Sequence, residues 1–172
     1  MIQVGDKLPA CTLKEFVAVE GTGCAIGSND FDVAAAAAGK TVALFAVPGA
    51  FTPTCSAQHL PGYVQHAQEL REAGVDEIWC LSVNDPYVMG AWGRDQGTAG
   101  KVRMVGDGNG AFTTAAGMML DRSAAGLGMR SARYSMLVVD GTVRTLNLEV
   151  PGKFEVSGAA TLLEQARARR AG

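Results

Sequence analysis

The stretch Val42–Glu72, VALFAVPGAFTPTCSAQHLPGYVQHAQELRE, decides how this chain folds. Thr41–Val47 is a continuous apolar run, the pattern of a strand buried on both faces, as central parallel strands are. Pro48-Gly49-Ala50-Phe51 breaks it. Thr52 offers a capping hydroxyl to the helix that follows, and Pro53 suits the first helical position, where a missing N–H costs nothing. Leu60, Tyr63, Val64, Ala67 and Leu70 recur at helical spacing and form the buried face. Pro61 predicts a kink in this helix, and Gly74 ends it. Cys55 therefore sits just inside a helix start. First-turn N–H groups have no acceptor within the helix, and the aligned peptide dipoles add roughly half a positive charge there. Both effects favour a thiolate over a thiol, and the thiolate is the reactive form.

Upstream, residues 2–27 mix short apolar runs with glycines and Pro9, which predicts an N-terminal β-hairpin. Ser28-Asn29-Asp30 offers N-cap oxygens for a short alanine-rich helix, Phe31–Ala38, ended by Gly39. Downstream, Glu77–Val83 reads as a strand closed by Asn84-Asp85-Pro86. A helix follows over Tyr87–Arg94, with Val88, Ala91 and Trp92 inward. Val102–Val105 is a short strand, Asp107–Gly110 a turn, Ala111–Met119 a helix and Gly126–Arg133 a loop. Tyr134–Val139 and Thr142–Leu148 are strands joined by Asp140-Gly141, a strong hairpin signal. Ser157 or Gly158 caps a last helix, Ala159–Arg170. The expected fold is α/β, a central mixed sheet flanked by helices. With no repeat, linker or charge block, residues 1–172 read as a single domain.

Hydrophobic residues make up 48% of the chain and charged residues 19%, ordinary for a globular protein. The net charge of -2 gives no reason to expect a nucleic-acid or membrane partner. No apolar run is long enough to span a bilayer, and the N-terminus lacks the pattern of a signal peptide. A cytoplasmic location is the expectation. The four cysteines, Cys11, Cys24, Cys55 and Cys80, form no CxxC pair and no zinc spacing, so neither a disulfide framework nor a metal site is expected. Cys11 and Cys24 read as small hydrophobes in or beside strands. No cofactor is called for.

A reactive thiolate needs positive surroundings and limited access. Arg130 and Arg133 stand just before the strand that opens at Tyr134, and an arginine is always charged with several fixed donors. Thr52 can point its hydroxyl at a ligand of Cys55, and Pro48 can roof the sulfur. This set suits a small, oxygen-rich electrophile. Donors placed around a peroxide would hold the charge that develops on its leaving oxygen. The product would be a sulfenic acid on Cys55.

Pro48-Gly49-Ala50-Phe51-Thr52-Pro53-Thr54-Cys55 resembles the PxxxTxxC loop of peroxiredoxins. Its form, PGAFTPTCS followed by HLPGY, is similar to the type-II, peroxiredoxin V group. Agreement continues through Val75–Gly93, Val102–Phe112 and Arg133–Val143. The resemblance implies a thioredoxin-like fold. It makes Cys55 the peroxidatic cysteine, Pro48 and Thr52 its loop partners, and Arg133 the distant arginine, with Arg130 the competitor for that role. It implies peroxides, hydrogen peroxide and alkyl hydroperoxides, as substrates.

Some type-II members resolve the sulfenic acid with a late cysteine, and NLEVPGKFEVSGAATLLEQ contains none. Cys80 is the remaining internal candidate, but it lies in a strand between Trp79 and Leu81. A disulfide needs Cα atoms within about 7 Å. Pairing with Cys55 would require the helix start to unfold. The expected reductant is therefore an external thiol; the resemblance implies glutathione with glutaredoxin, or thioredoxin, and Phe154–Ser157 resembles the glutathione/glutaredoxin-linked bacterial members. His59, one turn after Cys55, either tunes the thiol or packs on its helix. Phe51 and Tyr87 are candidates for a homodimer contact, because dimers of the family form through loops around the active site. A redox sensor without high turnover, a holdase, and a thioredoxin-like reductase are the other classes, the last opposed by the missing CxxC.

Overall fold

The computed structural model describes residues 1–18 and 26–172. Nine strands are formed within them: β1 Thr12–Ala18, β2 Ile26–Asp32, β3 Thr41–Ala46, β4 Glu77–Ser82, β5 Arg103–Gly106, β6 Met119–Asp121, β7 Met129–Ser131, β8 Tyr134–Val139 and β9 Thr142–Leu148. Seven of them make one mixed sheet in the order β2-β1-β5-β4-β3-β8-β9. β3 pairs parallel with β4 and β4 parallel with β5, while β8 runs antiparallel to β3. All of β3 is buried, as its unbroken apolar sequence predicts. Its alternate residues serve two cores. Ala43 and Phe45 face one; Val42, Leu44 and Ala46 face the other.

The first core is covered by α2 (Leu60–Gln65), α3 (Ala67–Glu72), α4 (Pro86–Gln96) and α6 (Ala159–Ala171). The second is covered by α1 (Val33–Ala37) and α5 (Ala111–Ala115). This is the thioredoxin-like arrangement, with the N-terminal hairpin β1–β2 added at one edge through an antiparallel pairing of β1 to β5.

Several boundaries differ from the sequence reading. Ser28-Asn29-Asp30 does not cap a helix; it is the middle of β2, paired residue by residue with Phe16, Glu15 and Lys14. An edge strand tolerates such polar residues because one face meets water. Asp30 also pairs with Lys14 there. The helix starts two residues later than expected, capped by Asp32, whose carboxylate accepts from Ala35 N. The expected helix Ala111–Met119 ends at Ala115, followed by Gly117 at φ +68°. Beyond it, β6 pairs with β7 in a two-stranded ribbon, so the segment read as a loop carries a strand. On α4 the inward residues are Met89, Gly90, Trp92 and Gly93, with Val88 and Ala91 half-buried. A Cβ at Gly90 would lie 2.5 Å from Phe16. The helix uses its glycines for close approach, which a search for apolar periodicity passes over.

Of the last two cap candidates, Gly158 takes the N-cap position of α6, and Ser157 turns its N–H and hydroxyl to Glu149 instead. Cys24 lies outside the described residues. Cys11, Cys55 and Cys80 are free thiols.

Candidate active site

The site is built where β3 ends. Val47 leaves the sheet still bonded to it, its N–H donating to Leu81 O. Pro48–Phe51 then turns back toward the next helix. Phe51 takes φ +61°, a left-handed conformation unusual for a side chain with a Cβ. The turn is closed by Thr52, whose Oγ1 donates to Gly49 O at 2.7 Å. Thr52 is thus a brace of the loop; no side chain caps the helix start.

Two groups outside the loop hold it. Asn84 Oδ1 accepts from Ala50 N at 3.0 Å and lies 2.7 Å from Ser82 Oγ. Arg130 Nη1 donates to Val83 O at 3.2 Å, and Nε donates to Leu127 O at 2.7 Å. The Arg130 guanidinium packs under Gly49, where a Cβ would come within 3.3 Å of it. Arg130 therefore supports the backbone behind the loop.

Cys55 opens a π-turn, Cys55–His59, in which Leu60 N donates to Cys55 O. Pro61 follows directly and brings no N–H, so the wide turn and the proline stand side by side at the start of α2. The distortion predicted from Pro61 is present, but it lies on its N-terminal side. A second break falls at His66, between α2 and α3. The Cys55 sulfur is fully buried.

Arg133 reaches this sulfur. Its Nη2 donates to Cys55 Sγ at 3.3 Å, and its Nη1 donates to His59 Nδ1 at 2.9 Å. The other ring nitrogen of His59 lies 3.0 Å from Ser157 O, which fixes the proton on Nε2 as donor. Burial, and next the adjacent Arg133 charge, push the His59 pKa down from 6.5 to about 3. A neutral imidazole is the form that can accept from a guanidinium. Tyr63, stacked on Phe45 with ring centroids 3.9 Å apart, donates its hydroxyl to the same Ser157 O at 2.9 Å.

Ser157 is held in turn by Glu149. One oxygen of that carboxylate accepts from the backbone N–H groups of Glu155, Val156 and Ser157 and from Ser157 Oγ, each within 2.9 Å. These donors keep the Glu149 pKa below the usual carboxylate range against the opposing effect of its burial. Phe154 rises from the same segment over the site. Its ring lies 4.8 Å from that of His59 and 5.8 Å from the Arg133 guanidinium carbon.

The arrangement brings together Pro48, Thr52, Cys55 and Arg133, with Pro48, Thr52 and Arg133 lining a groove of about 380 Å³ that opens to the surface. Cys80 is not at the groove. It is fully buried in β4, in the same core as Cys55, and burial pushes its pKa well up, with the Cys55 charge adding to it. Sequence reasoning missed Asn84, Glu149 and Phe154. Asn84 carried a usable signal, because it ends the strand parallel to β3 and loops at such ends gather around one site. Glu149 carried none and Phe154 only the likeness of Phe154–Ser157, because their roles depend on how residues 149–157 fold back.

The sequence profile of the Redoxin family matches residues 3–163. Peroxiredoxin-2E, chloroplastic, of Arabidopsis thaliana is 48% identical over 165 residues, covering 95% of this chain and 68% of that protein. Reduced Prx3 of Vibrio vulnificus, crystallised in complex with hydrogen peroxide, superposes with a TM-score of 0.87 at 46% identity, covering 96% and 99% of the two chains. A Burkholderia cenocepacia crystal structure carrying the name thioredoxin reductase superposes with a TM-score of 0.91 at 60% identity, covering 95% and 97%. The chain belongs to the Redoxin family, within it to the type-II peroxiredoxins, the thiol peroxidases that reduce peroxides with a cysteine.

Proposed function

We propose that Cys55 is the peroxidatic cysteine and that Arg133, Thr52 and Pro48 serve it. The observation that carries this is the 3.3 Å hydrogen bond to the Cys55 sulfur from Arg133, a residue that also lines a surface groove with Pro48 and Thr52. A guanidinium donor binds an anionic sulfur more strongly than a neutral one. The thiolate attacks the terminal oxygen of R–O–OH, the O–O bond breaks, and a sulfenic acid forms on Cys55. The leaving alkoxide, or hydroxide from hydrogen peroxide, takes up a proton and departs as alcohol or water. Thr52 has committed its proton to Gly49 O, so its oxygen faces the peroxide as an acceptor for the O–H. Arg133 supplies the positive charge that the leaving oxygen needs. Pro48 lines the groove wall and limits water there.

An external thiol completes the cycle. Its sulfur displaces water from the sulfenic acid to give a mixed disulfide, which a second thiol reduces. Glutathione with glutaredoxin, or thioredoxin, is the proposed source. Residues 149–157 carry no cysteine, and Cys80 is sealed in the core with its thiol proton held tightly. The free thiols Cys11, Cys55 and Cys80 fit a reducing compartment such as the cytoplasm. The unit proposed for this work is one domain over 1–172, paired as a homodimer.

The test is peroxide consumption with glutathione/glutaredoxin and thioredoxin side by side, with mass spectrometry of the peroxide-treated protein. Cys55→Ser is expected to abolish consumption with either reductant, while Cys11→Ser and Cys24→Ser stay near normal. Activity surviving in Cys55→Ser would refute the assignment. Cys80→Ser is expected to keep turnover, with a glutathione adduct or sulfenic acid on Cys55. A Cys55–Cys80 disulfide, with turnover lost in Cys80→Ser at the reduction step alone, would assign resolution to Cys80.

A further inference from the structure

The groove lined by Pro48, Thr52 and Arg133 is larger than hydrogen peroxide requires. Its volume of about 380 Å³ lies within the range of small-molecule sites, roughly 300–1,000 Å³. Leu120, Leu127, Val150 and Pro151 also line it, an apolar lining suited to an organic group. Arg122 lines it with them. Its Nε is buried and has no hydrogen-bond partner among the described residues. Buried N–H groups are nearly always paired, so a groove-lining guanidinium with an orphan Nε has no protein partner to leave before it turns to an acceptor in the groove. Around it the groove carries two further cations, Arg133 and Lys153, against one carboxylate. That carboxylate, Glu149, spends one oxygen on four donors of the 155–157 segment. Lys153 is exposed and meets Glu155 at 3.4 Å, and Arg133 is engaged with Cys55 and His59. Arg122 makes no ion pair among the described residues, and its planar fork matches a carboxylate.

We propose that Arg122 is a specificity-determining residue that binds the carboxylate of an organic hydroperoxide whose O–OH end meets Cys55. The assignment rests on the peroxidase reading above. The occupant is the hydroperoxide rather than a reducing thiol, because the groove stands open while Cys55, Thr52 and Arg133 are gathered for peroxide.

The experiment compares kcat/KM for hydrogen peroxide, cumene hydroperoxide, 4-carboxycumene hydroperoxide and the methyl ester of the last. The acid and its ester share size and leaving group and differ in charge. The unaltered chain is expected to prefer the acid over the ester by about tenfold, the scale of one charge-assisted hydrogen bond. Arg122→Gln is expected to bring the acid-to-ester ratio near one, and Arg122→Lys to restore part of it. Because the ratio is taken within each protein, a variant with a smaller folded fraction still reports it. A chain that consumes hydrogen peroxide but shows no preference for the acid overturns the subsite alone. So does a preference that survives in Arg122→Gln. A chain that consumes none of the four peroxides overturns the peroxidase reading together with the subsite.

Discussion

His59 shows how one residue links the catalytic geometry to the stability of the fold. Folded, it titrates near 3; unfolded, it returns to about 6.5. Below pH 6.5 the unfolded chain therefore binds a proton that the folded chain refuses. Its stabilising contribution is full above pH 6.5 and is lost as pH falls toward 3, at about 1.4 kcal/mol per pH unit. Urea unfolding at pH 7 and pH 5 is expected to show a loss of about 2 kcal/mol from this group, and His59→Gln to remove that part of the slope. Equal slopes in the two proteins would mean that His59 does not carry it. Arg133 gives a second prediction. Arg133→Ala withdraws the donor from Cys55 and is expected to slow the peroxide step by about 10²-fold, as loss of one preorganised donor does. Alkylation of Cys55 by iodoacetamide at pH 7 is expected to slow with it. If alkylation is unchanged in Arg133→Ala, the sulfur owes its reactivity to the helix start alone. Arg130, bonded to Val83 and Leu127, faces the loop backbone, and its loss is expected to act through that loop.

At the scale of elements, the segment from Glu149 to Ser157 is the one that the sequence read least. It was visible there only as a stretch without cysteine and as a likeness in Phe154–Ser157. Its shape comes from one carboxylate collecting three consecutive N–H groups, an interaction with no spacing pattern of its own. Glu149→Ala leaves those donors unpaired under Phe154 and beside His59. Denaturant unfolding is expected to show a loss of about 3 kcal/mol, with faster amide exchange at residues 155–157. Unchanged exchange there would mean that Phe154 packing, not Glu149, holds the segment. The central strand was legible for the opposite reason. Its signal is local, five consecutive apolar residues after Thr41 that can only be buried on both faces. The same holds for Tyr134–Leu148, where Asp140-Gly141 supplies both a turn and its left-handed residues. The glycine face of α4 and the polar middle of β2 were illegible, because each depends on what packs against it. Phe16 decides the first and Lys14 part of the second.

Taken whole, the molecule assembles its site from four places in the chain: the end of β3, the end of β4, the start of β8 and the fold-back after β9. The mixed sheet puts β3 between β4 and β8, so the loops at one end converge on Cys55. Arg133 precedes Tyr134, which pairs with Ala46 at the last position of β3, and that register alone carries the guanidinium to the loop. The same convergence leaves two large aromatics outside. Phe51 and Tyr87 are each 53% exposed. Phe51 belongs to the active-site loop and lies 6.4 Å from Trp92 of α4, while Tyr87, in the first turn of α4, lies 6.3 Å from Phe16. A surface that passes over α4 beside the loop is the face proposed for the homodimer. Covering the exposed half of each ring contributes about 1 kcal/mol, or about 4 kcal/mol for the four rings of a pair. Replacing both with glutamate, Phe51→Glu and Tyr87→Glu, is expected to weaken association about 10³-fold. Sedimentation velocity at micromolar concentration should then find a dimer for the unaltered chain and a monomer for the double variant. A monomeric unaltered chain would remove the homodimer, and a double variant that stays dimeric would move the contact to another face. Because Phe51 sets the left-handed turn before Thr52, Tyr87→Glu alone separates the two roles. It is expected to weaken the dimer while leaving the conformation of the Cys55 loop intact.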